Sequence, residues 1–166
     1  MTPRKLLIVA TAVAVMAGIW YMFRPELLFV NNEVHEDLPS RARAGAPTTT
    51  TKVLATGSFH GVAHTTRGTA TVHETADGQR VLRLTEFETS NGPAVRVYLI
   101  AAGDADDADT VKRSEPIDLG EMKGNRGDQN YDVPAGVDLA RYRAVTIWCA
   151  RFNVNFATAP LAAPAS

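Results

Sequence analysis

Residues 68–87 read GTATVHETADGQRVLRLTEF, and this stretch carries the clearest structural signal in the chain. Two runs rich in β-branched residues flank Asp77-Gly78, a dipeptide typical of a tight hairpin turn. In the second run, Leu82 and Leu84 alternate with a set that includes Phe87. Because successive side chains of a strand point to opposite faces, the pattern predicts the leucines inside and Phe87 on the other face.

Similar short runs, separated by turn residues, occupy the rest of the chain from residue 52 onward. Strands are predicted at 53–59, 68–74, 81–87, 95–100, 116–119, 130–133, 145–150 and 153–156. An acidic loop is expected at 104–109, and a helical turn around 138–142. About eight strands with regularly spaced turns predict an all-β fold, an antiparallel β-sandwich or barrel-like domain.

The amino terminus carries an uncharged apolar run at residues 6–23, preceded by Arg4 and Lys5. A run of this length crosses a hydrocarbon core of about 30 Å as a helix. A cleavable signal peptide is the alternative, but the run ends in bulky residues that suit an aromatic belt better than a cleavage site. We therefore expect an uncleaved signal anchor within residues 1–30. The positive-inside rule predicts a single-pass protein of the cell membrane whose carboxy-terminal domain is extracytoplasmic.

Composition divides the remainder into a polar segment and a single domain. Residues 31–51 show no apolar period and are expected to form a flexible polar tether. The β domain is expected to span 52–161, followed by a disordered tail at 162–166. The net charge of −1 predicts no nucleic-acid partner, because phosphate binding needs a basic face.

Cys149 is the only cysteine, so it cannot form an internal disulfide. An unpaired cysteine outside the cytoplasm is buried and inert, bonded to a partner, or redox-active. The strand pattern puts Cys149 on one face with Val145 and Ile147, which favours burial, and Trp148 on the other. Arg151, two places further along, falls on the same face as Cys149, which predicts either a thiol with a cation beside it or a strand end that emerges into solvent.

The histidines and serines form no recognisable catalytic or metal-binding motif. His60 and His64 are four residues apart, but the glycine between them argues against the helical metal pair of zinc peptidases. No nucleophile elbow or covalent haem attachment pair is present. We therefore expect no metal site and no self-contained enzyme, and the sequence leaves any cofactor unknown.

Several short motifs between residues 57 and 161 together resemble the DM-thirteen domain, also called the electron-transfer DM domain. The most specific are Ile117-Asp118-Leu119-Gly120, Lys123-Gly124-Asn125, Gln129-Asn130-Tyr131, Val133-Pro134, Ile147-Trp148-Cys149 and Phe152-Asn153-Val154-Asn155-Phe156; Gly57-Ser58-Phe59, His64 and Asn91-Gly92-Pro93 also correspond. The family is an extracytoplasmic β-rich module found beside DOMON domains and b-type cytochromes.

The resemblance implies a redox role for Cys149, since the characteristic cysteine of the family has been proposed to take part in electron transfer. His64, Asn130, Tyr131 and Trp148 are supporting candidates on the same basis. The expected function is that of an accessory in cell-surface electron transfer or thiol redox chemistry, with a cytochrome or thiol oxidoreductase as partner. The alternative is a binding module for a cell-envelope or protein ligand, in which Cys149 is structural.

Overall fold

The computed structural model describes residues 2–23, 30–38 and 51–164. The first element is a single apolar helix, α1 (Pro3–Phe23). Residues 3–22 are long and apolar enough to cross a membrane, and none of that window is buried inside the protein. A signal sequence shares these properties, so the helix is an apolar amino-terminal segment suited to either role.

Two five-stranded sheets follow, built from ten strands within the described residues. They are β1 (Glu33–His35), β2 (Lys52–Ser58), β3 (His60–Gly61), β4 (Arg67–Glu74), β5 (Arg80–Glu88), β6 (Val95–Ile100), β7 (Ile117–Glu121), β8 (Arg126–Val133), β9 (Ala144–Cys149) and β10 (Val154–Pro160). The first sheet has the order β1-β8-β5-β4-β2 and the second β3-β10-β9-β6-β7. Every pairing is antiparallel except that of β1 with β8.

The two sheets share one apolar core, which confirms the predicted all-β sandwich. Leu82 and Leu84 of the first sheet are fully buried, as the hairpin pattern predicts, and they belong to the same cluster as Val145 and Ile147 of the second. Burying such a side chain stabilises the fold by roughly 1.5–3 kcal/mol. Ten strands lie within the described residues, two more than predicted, because the pattern misses the short β1 and β3.

Phe87 lies inside the core, contrary to the prediction that it lies opposite the leucines. The pairing of β5 with β8 shifts between Leu84 and Phe87, and Glu86 in this interval has a φ of 50°. This β-bulge adds one residue, so Phe87 turns to the leucine face and stays 1% exposed. Its ring then makes an edge-to-face contact with Phe59, with centroids 5.3 Å apart.

Residues 30–38, most of which the sequence assigns to the tether, lie along the edge of the first sheet. We call them the strap. Their strand β1 pairs in parallel with β8, and Val34 lies opposite Gly127. A Cβ on Gly127 would lie 2.1 Å from the Val34 carbonyl oxygen, so only glycine admits the strap there. Residues 39–50 of the expected tether lie outside the described residues.

The two ends of the sandwich differ in the turns they carry. The proximal end has the turns 62–66, 89–94, 122–125 and 150–153, and the distal end has 75–79, 101–116 and 134–143. The expected acidic loop leads into a short helix, α2 (Ala108–Arg113), capped by the side chain of Asp107. Residues 138–142 form hydrogen-bonded turns. Ala162, at the start of the expected tail, pairs with Thr56.

Candidate functional site

Cys149 ends the central strand β9 at the proximal end of the sandwich. It is 1% exposed and belongs to the main core cluster, as its face with Val145 and Ile147 predicts. Its Sγ atom donates a hydrogen bond of 3.2 Å to the carbonyl oxygen of Pro93. The thiol is therefore a buried group with a partner, covered by the turn 89–94.

The two turns next to the thiol hold residues in the left-handed backbone region. Ala94 has a φ of 56° and Asn153 a φ of 54°, and neither is glycine. The Ala150 amide donates to the Ala94 carbonyl at 2.9 Å, so the two turns are tied together. Left-handed alanine is strained because its Cβ crowds the backbone, and such residues concentrate at functional sites. Sequence reasoning missed both positions, because no local pattern marks alanine as left-handed.

His64 lies at the same end as Cys149 and stacks on a core aromatic ring. The centroids of His64 and Phe156 are 3.8 Å apart. A Cβ on Gly92, the residue before Pro93, would lie 3.1 Å from the same phenylalanine ring. Burial lowers the pKa of His64 below its ordinary value, because the charged form loses hydration. The ring is therefore a neutral packing group at neutral pH.

Trp148 occupies the opposite face of the second sheet from Cys149, as the strand alternation predicts. It is buried in a second cluster with Ile100 and Val111, the latter on α2. Its ring stacks on Tyr98 with centroids 6.5 Å apart. The structure therefore does not bring the indole to the thiol, although the two residues are adjacent in sequence.

Asn130 and Tyr131 lie on β8 in the other sheet. Asn130 binds the strap, and Tyr131 belongs to the core. The Asn130 amide N–H donates to Glu36 Oε2 at 2.7 Å, and its Nδ2 donates to the carbonyl of Asp37 at 2.8 Å. Tyr131 Oη donates to Gln129 Oε1 at 2.6 Å. Burial raises the pKa of Tyr131 well above its ordinary value, so it remains a neutral phenol.

Glu36 in the strap is a polar anchor that the sequence did not reveal. Burial opposes its ionisation, but hydrogen bonds from the Lys123 ammonium and the Asn130 amide outweigh that effect, and the pKa of Glu36 is lowered. Glu36 and Lys123 are 87 residues apart in sequence, so no short-range spacing of a glutamate and a lysine marks them as a pair. Only the parallel pairing of β1 brings them together.

A polar cavity of about 600 Å³ opens at the proximal end. Arg67, Glu88 and Arg126 line it, and Glu88 accepts a hydrogen bond from Arg67 and forms an ion pair with Arg126. The buried Nε of Arg126 has no hydrogen-bond partner among the described residues. This cavity has the polar groups of a small-ligand site, but no reactive side chain points to a bond-making step.

One set of described residues has the spacing of metal ligands, although the sequence predicts no metal site. His60, Asp104 and Asp106 have ligand atoms within 4.8 Å of one another, and His60 Nε2 lies 2.8 Å from Asp104 Oδ1. The loop that carries the aspartates is held by two hydrogen bonds from the protein interior, because the Ala105 carbonyl accepts from buried Asn155 and Thr158. Asp104 and Asp106 are exposed and His60 is half-buried. The hydrogen bond between His60 and Asp104 is sufficient to explain why these two side chains are in contact.

The comparisons with known proteins agree with the fold and with the sequence motifs. The family described as "Electron transfer DM13" matches residues 58–161, which is well over half of the chain and nearly all of the sandwich. The match starts at the end of β2 and includes Cys149, His64, Asn130 and Tyr131. No curated protein and no solved structure matches the chain. Because the family model matches more than half of the chain, this protein belongs to the electron transfer DM13 family.

Proposed function

We propose that this protein is a membrane-anchored extracytoplasmic accessory in electron transfer or thiol redox chemistry, acting through Cys149, and not a self-contained enzyme. The observation that carries the proposal is the position of the only thiol in a member of an electron-transfer family. It lies beneath a strained turn, within hydrogen-bond reach of a backbone carbonyl. The apolar helix α1 supports the membrane anchor.

Because the thiol is buried beneath the turn 89–94, it must become accessible before it can react with a partner. A thiol attacks a disulfide as the thiolate, which needs direct access to the partner sulfur. Cys149 gains access when the turn 89–94 moves and the contact with Pro93 opens. The left-handed Ala94 stores strain that makes this movement less costly. In the exchange, the Cys149 sulfur forms a disulfide with one sulfur of the partner and the other partner sulfur leaves as a thiol.

Oxidised glutathione tests this chemistry in the purified native chain. We expect a mixed disulfide at Cys149, measured as the mass of one added glutathionyl group, and none in Cys149→Ser. Ala94→Gly removes the strain of the left-handed alanine and should slow the modification. Absence of the adduct under native conditions, with full reaction after denaturation, would contradict a redox role for the thiol.

Trapping in cells identifies the partner class. Because Cys149 is the only cysteine, every disulfide-linked complex of this chain must pass through it. Alkylation of free thiols before lysis and separation without reductant should show a complex that disappears in Cys149→Ser. Extraction of membranes at high pH tests the anchor, since a spanning helix keeps the chain in the pellet.

A ligand-binding module is the second candidate, and the polar cavity favours it. Its arginines and its unpartnered Arg126 Nε suit an anionic or hydroxyl-rich small molecule. If Cys149 proves inert, binding at this cavity becomes the better function. Arg126→Leu would then abolish binding of the ligand while Cys149→Ser would leave it unchanged.

A further inference from the structure

The strap enters the domain at the proximal end. The Val30 carbonyl accepts a hydrogen bond of 3.2 Å from Asn91 Nδ2, in the turn that covers Cys149. Two residues later, the Asn32 amide donates to Asn125 Oδ1 at 2.7 Å. Each of these two turns connects one sheet to the other, so the strap contacts two of the connections between the sheets at the end where the chain arrives from α1.

The short connection between α1 and the strap limits how far that end lies from the helix. Seven residue steps separate Phe23 from Val30, and an extended chain spans at most about 25 Å over that number of steps. The Arg151 side chain in the turn 150–153 donates to the carbonyl of Met22, the residue before the last of α1. The proximal end is therefore the end of the sandwich nearest the helix.

The apolar surface of the domain is concentrated at the same end. Outside α1, the exposed large hydrophobic residues within the described ranges are Val30 and Phe152, at 54% and 45% exposure. Phe152 lies at the tip of the turn between β9 and β10, with Arg151 before it. An aromatic ring beside a cationic side chain is the combination that favours the interface of a lipid bilayer.

The charges of the turns differ between the two ends. The proximal turns contain Lys123 and Arg151 and no acidic residue, and Arg67 begins β4 beside them, whereas the distal loops contain more acidic than basic residues, with four aspartates at 104–109. Two of these cations are paired with carboxylates, Arg67 with Glu88 of β5 and Lys123 with Glu36 of the strap. An anionic membrane surface attracts the end that carries this charge and repels the other.

We propose that the proximal end rests on the anionic lipid surface of the membrane that α1 crosses. Phe152 lies in the headgroup region and Arg151 lies against lipid phosphates. The inference rests on the membrane anchoring of the proposed function and adds a fixed orientation of the domain. Because Cys149 Sγ is bound to the Pro93 carbonyl at this end, the thiol is on the side of the sandwich that faces the lipid.

Quenching by spin-labelled lipid headgroups tests this orientation in the full chain, reconstituted in nanodiscs containing anionic lipid. Single cysteines for a fluorophore are placed in the Cys149→Ser background at three small residues: Ser90 in a proximal turn, Ala76 in a distal turn and Ala12 in α1. Strands of 6–9 residues separate the two ends by roughly 20–30 Å, more than headgroup quenching reaches. We expect the fluorophore at position 90 to be quenched severalfold more than that at 76.

The fluorophore at position 12 distinguishes a failure of the proposed orientation from a failure of the proposed membrane anchor. Quenching at 12 by lipids labelled in the acyl chain shows that α1 is inserted; if 90 and 76 are then quenched equally, the orientation is wrong and the anchor stands. If 12 is not quenched, the anchor of the proposed function fails, and this inference with it.

Substitution at the contact itself provides the matched comparison. Arg151→Ser combined with Phe152→Ser should reduce the quenching at position 90 severalfold, and zwitterionic lipid should reduce it as well. Arg141→Ser, in a distal loop, is the control and should change nothing. Unchanged quenching in the double variant would overturn the assignment of this surface to the lipid.

Discussion

Cys149 and Pro93 are joined by a hydrogen bond from the thiol to the backbone carbonyl, with Sγ and O 3.2 Å apart. The contact links the end of a fully buried central strand to a surface turn. It gives the only thiol of the chain a hydrogen-bond partner in the turn that covers it. Structural and redox roles for Cys149 therefore make different predictions about the same atom pair.

Substitution of Cys149 tests whether this hydrogen bond stabilises the fold. Cys149→Ser keeps a donor for Pro93 and should lower the free energy of unfolding by about 1 kcal/mol or less. Cys149→Ala leaves the half-buried Pro93 carbonyl without this donor and creates a small void, and should cost about 1–3 kcal/mol. Urea denaturation measures both. A larger cost for serine than for alanine would show that the contact with Pro93 does not stabilise the protein.

Gly124→Ala tests whether the strap contributes to stability. A Cβ on Gly124 would lie 2.5 Å from the Asn32 carbonyl oxygen and 2.7 Å from Val34 Cγ2, both strap atoms. We expect the substitution to destabilise a chain that begins at residue 30, by an amount on the order of 1–3 kcal/mol. A chain that begins at residue 51 lacks the strap and is the control. It should be less stable overall, and Gly124→Ala should have little effect on it; equal effects in both chains would refute the docking of the strap.

Asn155→Ala tests the buried polar network beneath the acidic loop. Asn155 accepts from Thr146 Oγ1 at 2.6 Å and donates to the Ala105 carbonyl at 2.9 Å, in a site that is 2% exposed. Removing it leaves buried polar groups unpaired, so we expect a loss of about 2–4 kcal/mol in the free energy of unfolding. Gln79→Ala, at an exposed turn position, is the matched control and should cost less than about 0.5 kcal/mol.

The pH dependence of stability tests the environment of His64. Burial lowers its pKa, so the unfolded chain takes up the proton at a higher pH than the folded one. The stability is therefore fully present above the ordinary histidine pKa and declines as the pH falls from about 7 to 5. His64→Gln should reduce this decline in thermal denaturation, and His73, whose pKa is also lowered by burial, contributes to the part that remains. His35→Gln, at a side chain that is 74% exposed, should leave it unchanged; an equal decline in all three proteins would contradict the assignment.

The alternation of side chains between the two faces of each strand, in runs rich in β-branched residues, predicted the sandwich. Leu82 and Leu84 are buried where their spacing predicts, because a period of two can bury one face of a strand only in that register. The same logic located Cys149 in the core with Val145 and Ile147. These features are local, so a single sequence contains them.

Tertiary structure decided the features that depend on contacts between distant segments. The bulge that turns Phe87 inward has no local marker, since Glu86 is an ordinary residue in an uncommon backbone conformation. The strap pairs with β8 across more than 90 residues, so its short polar sequence resembles a tether until the edge that accepts it is known. The turn that covers Cys149 is likewise defined only by its partner, since Pro93 and the thiol meet across the gap between two neighbouring strands. The sequence of each strand indicates which side chains favour burial. The positions of the turns and of the sheet edges depend instead on contacts between distant segments, which form only when both sheets pack together.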